Sequence, residues 1–164
     1  MLDFIRIACA VPAVRVGDTA KNAEDICAYI EKADGERADI VLFPELALTG
    51  YSCQDLFFQD TLWTGVQQGI RKIAGYTKNY PNVTAVVGLP VRTGMRMYNC
   101  AAVISRGKIH ALVPKTYIPN YNEFYEKRWF SSGAEVTEDM AELLGEPVPV
   151  LPRAVFRVGG TLLG

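Results

Sequence analysis

The chain has 164 residues, of which 49% are hydrophobic and 21% charged, and its 17 basic and 18 acidic residues leave a net charge of −1. That balance fits one soluble globular domain, large enough to take roughly 70% of its extended surface out of water. It shows no basic block, no acidic tail and no apolar run of ~18 residues, which argues against a nucleic-acid or membrane partner. Asp3 and Arg6 interrupt the N-terminus, so no signal peptide is read there and the cytosol is the default compartment.

Taken in order, residues 4–10 read as a strand and residues 12–17 as a loop. Asp18 is a good N-cap. The helix predicted after it runs to about residue 37, because Ala23, Ile26, Cys27, Ile30 and Ala33 recur at intervals of three and four. Residues 39–43 form a second strand, ended by Pro44, which has no N–H to continue a ladder. A loop follows, then a helical region over 55–80, in one or two pieces. Residues 83–89 are predicted as a third strand ending at Pro90. Residues 97–105 and 108–113 are predicted as a hairpin around Arg106-Gly107, closed by Pro114-Lys115. Short helices are predicted over 122–128 and 135–145, and a proline-rich loop over 147–152. Residues 155–158 and 161–164 look like a hairpin whose second arm is only begun. The plainest expectation is therefore the front portion of a longer chain. Crossovers mixed with hairpins predict a layered α/β fold.

Few residues are available for chemistry. Cys9, Cys27, Cys53 and Cys100 form no C-x-x-C pair and no metal-finger spacing. Cys9, Cys27 and Cys100 read as small buried hydrophobes, and Cys53, in the loop after Glu45, is less plain. His110, the only histidine, sits in a strand, which leaves a histidine metal site or a Ser-His-Asp triad poorly supported. What stands out is a device used twice. An apolar strand, a proline and an ionisable residue recur as Val41-Leu42-Phe43-Pro44-Glu45 and Leu112-Val113-Pro114-Lys115. In open α/β sheets, ligands bind just past such strand ends. A carboxylate beside an ammonium there suits acyl transfer, one group taking a proton and the other steadying an oxyanion. A plain structural ion pair is the competing reading.

The segment Phe43-Pro44-Glu45-Leu46 with Gly50-Tyr51, and Pro114-Lys115 with Asn120-Tyr121-Asn122-Glu123-Phe124-Tyr125-Glu126, resembles the carbon–nitrogen hydrolase (nitrilase) superfamily. Within it, the likeness is greatest to the N-terminal glutaminase domain of glutamine-dependent NAD synthetases, and it runs through most of residues 4–133. The resemblance implies a four-layer α-β-β-α sandwich, of which residues 1–164 would be the N-terminal portion. It implies a Glu-Lys-Cys triad with Glu45 as general base and Lys115 as the oxyanion-stabilising ammonium. It also implies Glu123 as a second glutamate orienting the lysine or the substrate, and Tyr121 as a glutamine-binding side chain. A helix-start carboxylate and a packed aromatic remain the alternatives for these two. None of the four cysteines matches the family's nucleophile, which would follow a strand just beyond Gly164. The reaction implied is hydrolysis of glutamine or another small amide without a cofactor. ATP and magnesium would serve an absent synthetase domain that turns deamido-NAD into NAD, in a cytoplasmic homo-oligomer. A stand-alone amidase or carbamoylase, and an inactive binding or structural module, are the alternatives. The chain by itself is expected to be inactive, with apolar surface left open at its C-terminal edge.

Overall fold

The computed structural model describes residues 4–143 and 145–164, so Asp3 lies outside the described residues. The Asp18 carboxylate accepts a hydrogen bond from the Lys21 N–H at 3.0 Å and starts helix α1, Thr19–Gly35. Its predicted apolar stripe is its buried face. The strands on either side, β1 (Ile7–Cys9) and β2 (Ile40–Leu42), are shorter than their apolar runs and pair in parallel at three positions. The helical region after them breaks in two, because Gln59 is extended. A 3-10 segment, Tyr51–Phe58, precedes it and helix α2, Asp60–Tyr76, follows.

Strands β3 (Thr84–Thr93), β4 (Arg96–Ser105) and β5 (Lys108–Pro114) complete a sheet of order β1-β2-β3-β4-β5, parallel up to β3 and antiparallel beyond it. Pro90 does not end β3, as the sequence had suggested. Val86 and Gly88 turn their carbonyls away from β4, toward the N–H groups of Phe43 and Leu48. Pro90, two residues on, shares that orientation, so its missing donor falls on the side where β2 has already stopped. Arg106 and Gly107 take φ of 51° and 81°, both positive as a type I′ hairpin turn needs. One irregularity follows the turn. Ile104 pairs Ile109 but Val103 pairs Ala111, which leaves His110 as an extra residue on β5.

The sequence order β1-α1-β2-α2-β3 runs one way across the sheet, so both helices lie on one face. There they form a single core with Val41, Phe43, Ala85, Val87, Leu89, Cys100, Ala102 and Ile104. This is the expected α/β class, with one helical layer and one main sheet among the described residues. Among the described residues, the predicted helix over 135–145 is not there. A 3-10 turn, Gly133–Glu135, leads to β6 (Met140–Leu143), whose side chains alternate exposed and buried, the period of a strand. Its partner β7 is Glu146–Pro149. Pro147 and Pro149 are tolerated because β7 pairs in a ladder with β6 alone. The final hairpin has two arms, β8 (Phe156–Val158) and β9 (Thr161–Leu163), paired at three positions.

Candidate active site

Glu45 and Lys115 follow β2 and β5, which are not neighbours: β3 and β4 lie between them. Gly88 closes the gap. A Cβ on Gly88 would run into the Pro44 carbonyl oxygen and lie 2.5 Å from Leu46 N and 2.8 Å from Glu45 Cα. Only glycine lets the chain after β2 cross β3 this closely. Leu46, fully buried, holds φ at 52° to make the crossing, a left-handed geometry that costs a non-glycine residue about 1 kcal/mol or more. From the other side, the N–H of Lys115 donates to the Asn99 carbonyl at 2.8 Å, and the N–H of Gly133 donates to the Lys115 carbonyl at 2.8 Å.

The side chains then meet. Lys115 Nζ lies 2.9 Å from Glu45 Oε2 and 3.2 Å from both carboxylate oxygens of Glu126. The expected proximity of Glu45 and Lys115 at one sheet edge is met. The second glutamate is not where the sequence reading put it. Glu123 is exposed, whereas Glu126 is 2% exposed and faces the lysine. The 3-10 turn Glu126–Arg128 explains the difference. Glu126 accepts from the Phe130 N–H at 2.9 Å and so shares the inward side of the turn with buried Phe130. An acid four residues before a buried aromatic was the signal available in the sequence.

Tyr51, quoted from the sequence only as part of the resemblance, and Asn99 were given no role there. The Tyr51 hydroxyl donates to Glu126 Oε1 at 2.6 Å, and the Asn99 side-chain amide donates to Glu45 Oε2 at 3.0 Å. Partial burial pulls the Lys115 ammonium down, but its bonds to Glu45 and Glu126 outweigh that and hold it above its ordinary value. Burial, and then the Glu126 bond and charge, push the Tyr51 phenol up. Lysine therefore stays a cation and Tyr51 a neutral donor at neutral pH.

Lys115 faces two spaces. A shallow cleft of about 250 Å³ lies between it, Glu45 and Asn99, floored by Leu42, Val86 and Val113. A cavity of about 800 Å³ opens along the 116–135 segment, lined by Lys115, Tyr117, Tyr121, Lys127, Ser132 and Glu135. Tyr121 is 64% exposed at its wall, with its ring edge on Phe124, so it is available to a ligand in this cavity. Glu45 is half exposed, and among the described residues nothing donates to its Oε1. That oxygen can take a proton. Lys115 uses one N–H on Glu45 and a second shared between the two oxygens of Glu126, which leaves its third N–H for a ligand. The four cysteines add no nucleophile here. Burial raises Cys27 to about 11 and also raises Cys53 and Cys100. Cys9 is exposed but sits on β1, four strand spacings or roughly 19 Å from β5. Among the described residues, no group of three or more His, Cys, Asp or Glu is placed to hold a metal.

The carbon–nitrogen hydrolase family profile matches residues 6–159. The chain belongs to the carbon–nitrogen hydrolase family. It is 40% identical over 152 residues to a glutamine-dependent NAD(+) synthetase of Xylella fastidiosa, an alignment covering 92% of this chain and 27% of that protein. It is 37% identical over 130 residues to the same-named protein of Mycobacterium tuberculosis, covering 79% and 19%. The chain thus spans about a quarter or less of the curated relatives it matches. In three dimensions it superposes on a glutamine-dependent NAD(+) synthetase of Cytophaga hutchinsonii with a TM-score of 0.84 at 27% identity, covering 98% of this chain and 27% of that one. A Nesterenkonia amidase of the nitrilase superfamily, 20% identical with a TM-score of 0.72 over 96% of this chain and 53% of its own, shares the fold.

Proposed function

We propose that this carbon–nitrogen hydrolase works on the side-chain amide of glutamine and that the ammonia released feeds an ATP-dependent amidation of deamido-NAD. The observation that carries the reading is the Lys115 ammonium held at 2.9 Å from Glu45 and 3.2 Å from Glu126, with the other Glu45 oxygen receiving no donor from the described residues. In this mechanism Glu45 takes the proton of a cysteine thiol, and the thiolate attacks the amide carbon. Lys115 donates to the oxyanion that forms. The C–N bond breaks as Glu45 returns the proton to the leaving nitrogen, releasing ammonia and leaving a thioester. Glu45 then deprotonates a water that attacks the thioester, the C–S bond breaks, and glutamate and the free thiol remain. Glu126 keeps Lys115 charged and aimed, and Tyr121 contacts the glutamine in the larger cavity.

The thiol is not one of the four described cysteines, so the 164-residue chain alone is expected to release no ammonia from glutamine. Relatives at 37–40% identity named as glutamine-dependent NAD(+) synthetases support this substrate over that of a stand-alone amidase. In this reading ATP and Mg²⁺ serve the amidation step and not the Glu45 cleft. The same reading makes the enzyme a cytosolic homo-oligomer. No helix among the described residues is long and apolar enough to cross a membrane.

The test is ammonia release from glutamine by the full-length protein that contains this chain. Glu45→Gln and Lys115→Ala should each lower it at least ~10²-fold with the fold intact by circular dichroism. Near-normal turnover by either soluble variant overturns the reading, as would glutamine turnover by the isolated chain that Cys53→Ala abolishes.

A further inference from the structure

We infer that Asn99 is a positioning residue that selects which oxygen of Glu45 acts as the base; this rests on the glutaminase reading above. Asn99 is 3% exposed, a buried polar side chain in the middle of the sheet. Its amide donates to Glu45 Oε2 at 3.0 Å, the same oxygen that Lys115 Nζ reaches at 2.9 Å. Two donors on one oxygen occupy its lone pairs and fix the carboxylate plane. Oε1 receives no donor from the described residues and is left free to accept a proton. The base is thereby one defined oxygen of a residue that lines the cleft together with Asn99 and Lys115.

Asn99 holds the lysine as well, by its backbone. Its carbonyl accepts the Lys115 N–H at 2.8 Å. One residue of β4 thus spaces the carboxylate, by its side chain, from the ammonium, by its main chain. A change of side chain at this position cuts the first hold and leaves the second. Asn99 touches neither the attacked carbon nor the leaving nitrogen in this scheme, so its effect passes entirely through Glu45.

Two measurements test this. The first uses the ¹⁵N-labelled chain and needs no activity. The Asn99 side-chain amide protons should lie downfield and exchange slowly, and Glu45→Gln should move them while Glu123→Gln does not. An Asn99 resonance indifferent to Glu45→Gln overturns the inference, and because Asn99 itself is unchanged a folding defect at position 99 cannot mimic that result. The second uses the full-length protein with glutamine. Asn99→Ala should lower kcat ~10–100-fold, the scale of a lost charge-assisted hydrogen bond, with KM within about twofold. Asn99→Asp keeps the size of the side chain. Its carboxyl can donate only while protonated, so this variant should lose activity as pH rises, over a range where the parent does not. A parent-like pH profile for Asn99→Asp, or an unchanged kcat for Asn99→Ala while Glu45→Gln is dead, overturns the role of Asn99 and spares the glutaminase reading. Normal turnover in Glu45→Gln overturns the glutaminase reading and the positioning role with it.

Discussion

The two loops that carry the site begin alike, each with a strand and a proline, and are built in opposite ways. After β2 the chain dives inward. Leu46, Ala47, Leu48 and Thr49 are no more than 1% exposed. The segment is bonded to β3 through Leu48 N and the Gly88 carbonyl, to α1 through Asn22 Nδ2 and the Leu48 carbonyl, and to the loop before α1 through Gly17 N and the Thr49 carbonyl. After β5 the chain runs outward, with Tyr117 87% and Tyr121 64% exposed, and returns only at Glu126 and Phe130. Glu45 is therefore placed by its own loop, whereas Lys115 is placed by a carboxylate eleven residues later. A buried, hydrogen-bonded segment opens rarely, and an exposed one opens easily. Glu45, the proposed base, sits on the stiff loop, and the larger cavity is walled by the compliant one.

The sharpest way to break this contrast is to unseat the stiff loop. Gly88→Ala drives a methyl group into the backbone of Pro44, Glu45 and Leu46 and should cost about 2–3 kcal/mol by urea unfolding. A loss under about 0.5 kcal/mol would mean the Glu45 loop has room to move off β3. Next comes the return point of the compliant loop. Glu126→Ala leaves the lysine and Tyr51 without their shared buried acceptor and should cost about 2 kcal/mol. Glu123→Ala on the exposed stretch should stay within about 0.5 kcal/mol. Equal losses would erase the distinction between the two glutamates.

The smallest effect concerns the pin between the loops. Asp55 accepts from Arg128 through Nε and Nη2, both at 2.7 Å, and from Trp129 Nε1 at 3.0 Å. The Arg128 bonds, and then the Trp129 bond, hold its carboxyl down at about 2 against an ordinary 3.8. A depressed acid stabilises the fold above its unfolded value, and that contribution is lost as pH falls through its folded value. The Trp129 indole N–H resonance should accordingly hold its position from neutral pH to about 3 and shift as pH approaches 2. Asp55→Asn should abolish that titration. A midpoint near 3.8 in the parent chain would show that the pin does not form.

Local signals were legible in the sequence where one residue acts on its neighbours. Asp18 capping α1, the apolar stripe of that helix and the Arg106-Gly107 turn all rest on contacts a few residues apart. Glu45 and Lys115 were legible through the repeated strand-proline device and the family resemblance. Contacts made across the chain were not. Pro90 was read as a terminus because the absence of β2 beside it is a tertiary fact. The strands β6 and β7 were hidden by prolines that only an edge tolerates. Glu123 was chosen over Glu126 because the turn that points one inward and the other outward is set by Phe130. Asn99 carried no sequence signal, since a lone asparagine in an apolar strand gains meaning only from what crosses above it.

The extra residue on β5 has a consequence for arithmetic along the hairpin. Next to the turn, paired residue numbers of β4 and β5 sum to 213, as in Ile104 with Ile109; past His110 they sum to 214, as in Cys100 with Pro114. Under the first sum Asn99 would stand opposite Pro114, which has no N–H to offer. Under the second it stands opposite Lys115, whose N–H it receives. A strand shifted by one residue also turns each side chain to the other face, so an uninterrupted ladder would send the ammonium to the opposite side of the sheet from Glu45. The single histidine of the chain, exposed and bonded through Nε2 to the Ser105 hydroxyl at 2.8 Å, thus matters by being counted: it sets the parity that brings carboxylate and ammonium to the same side.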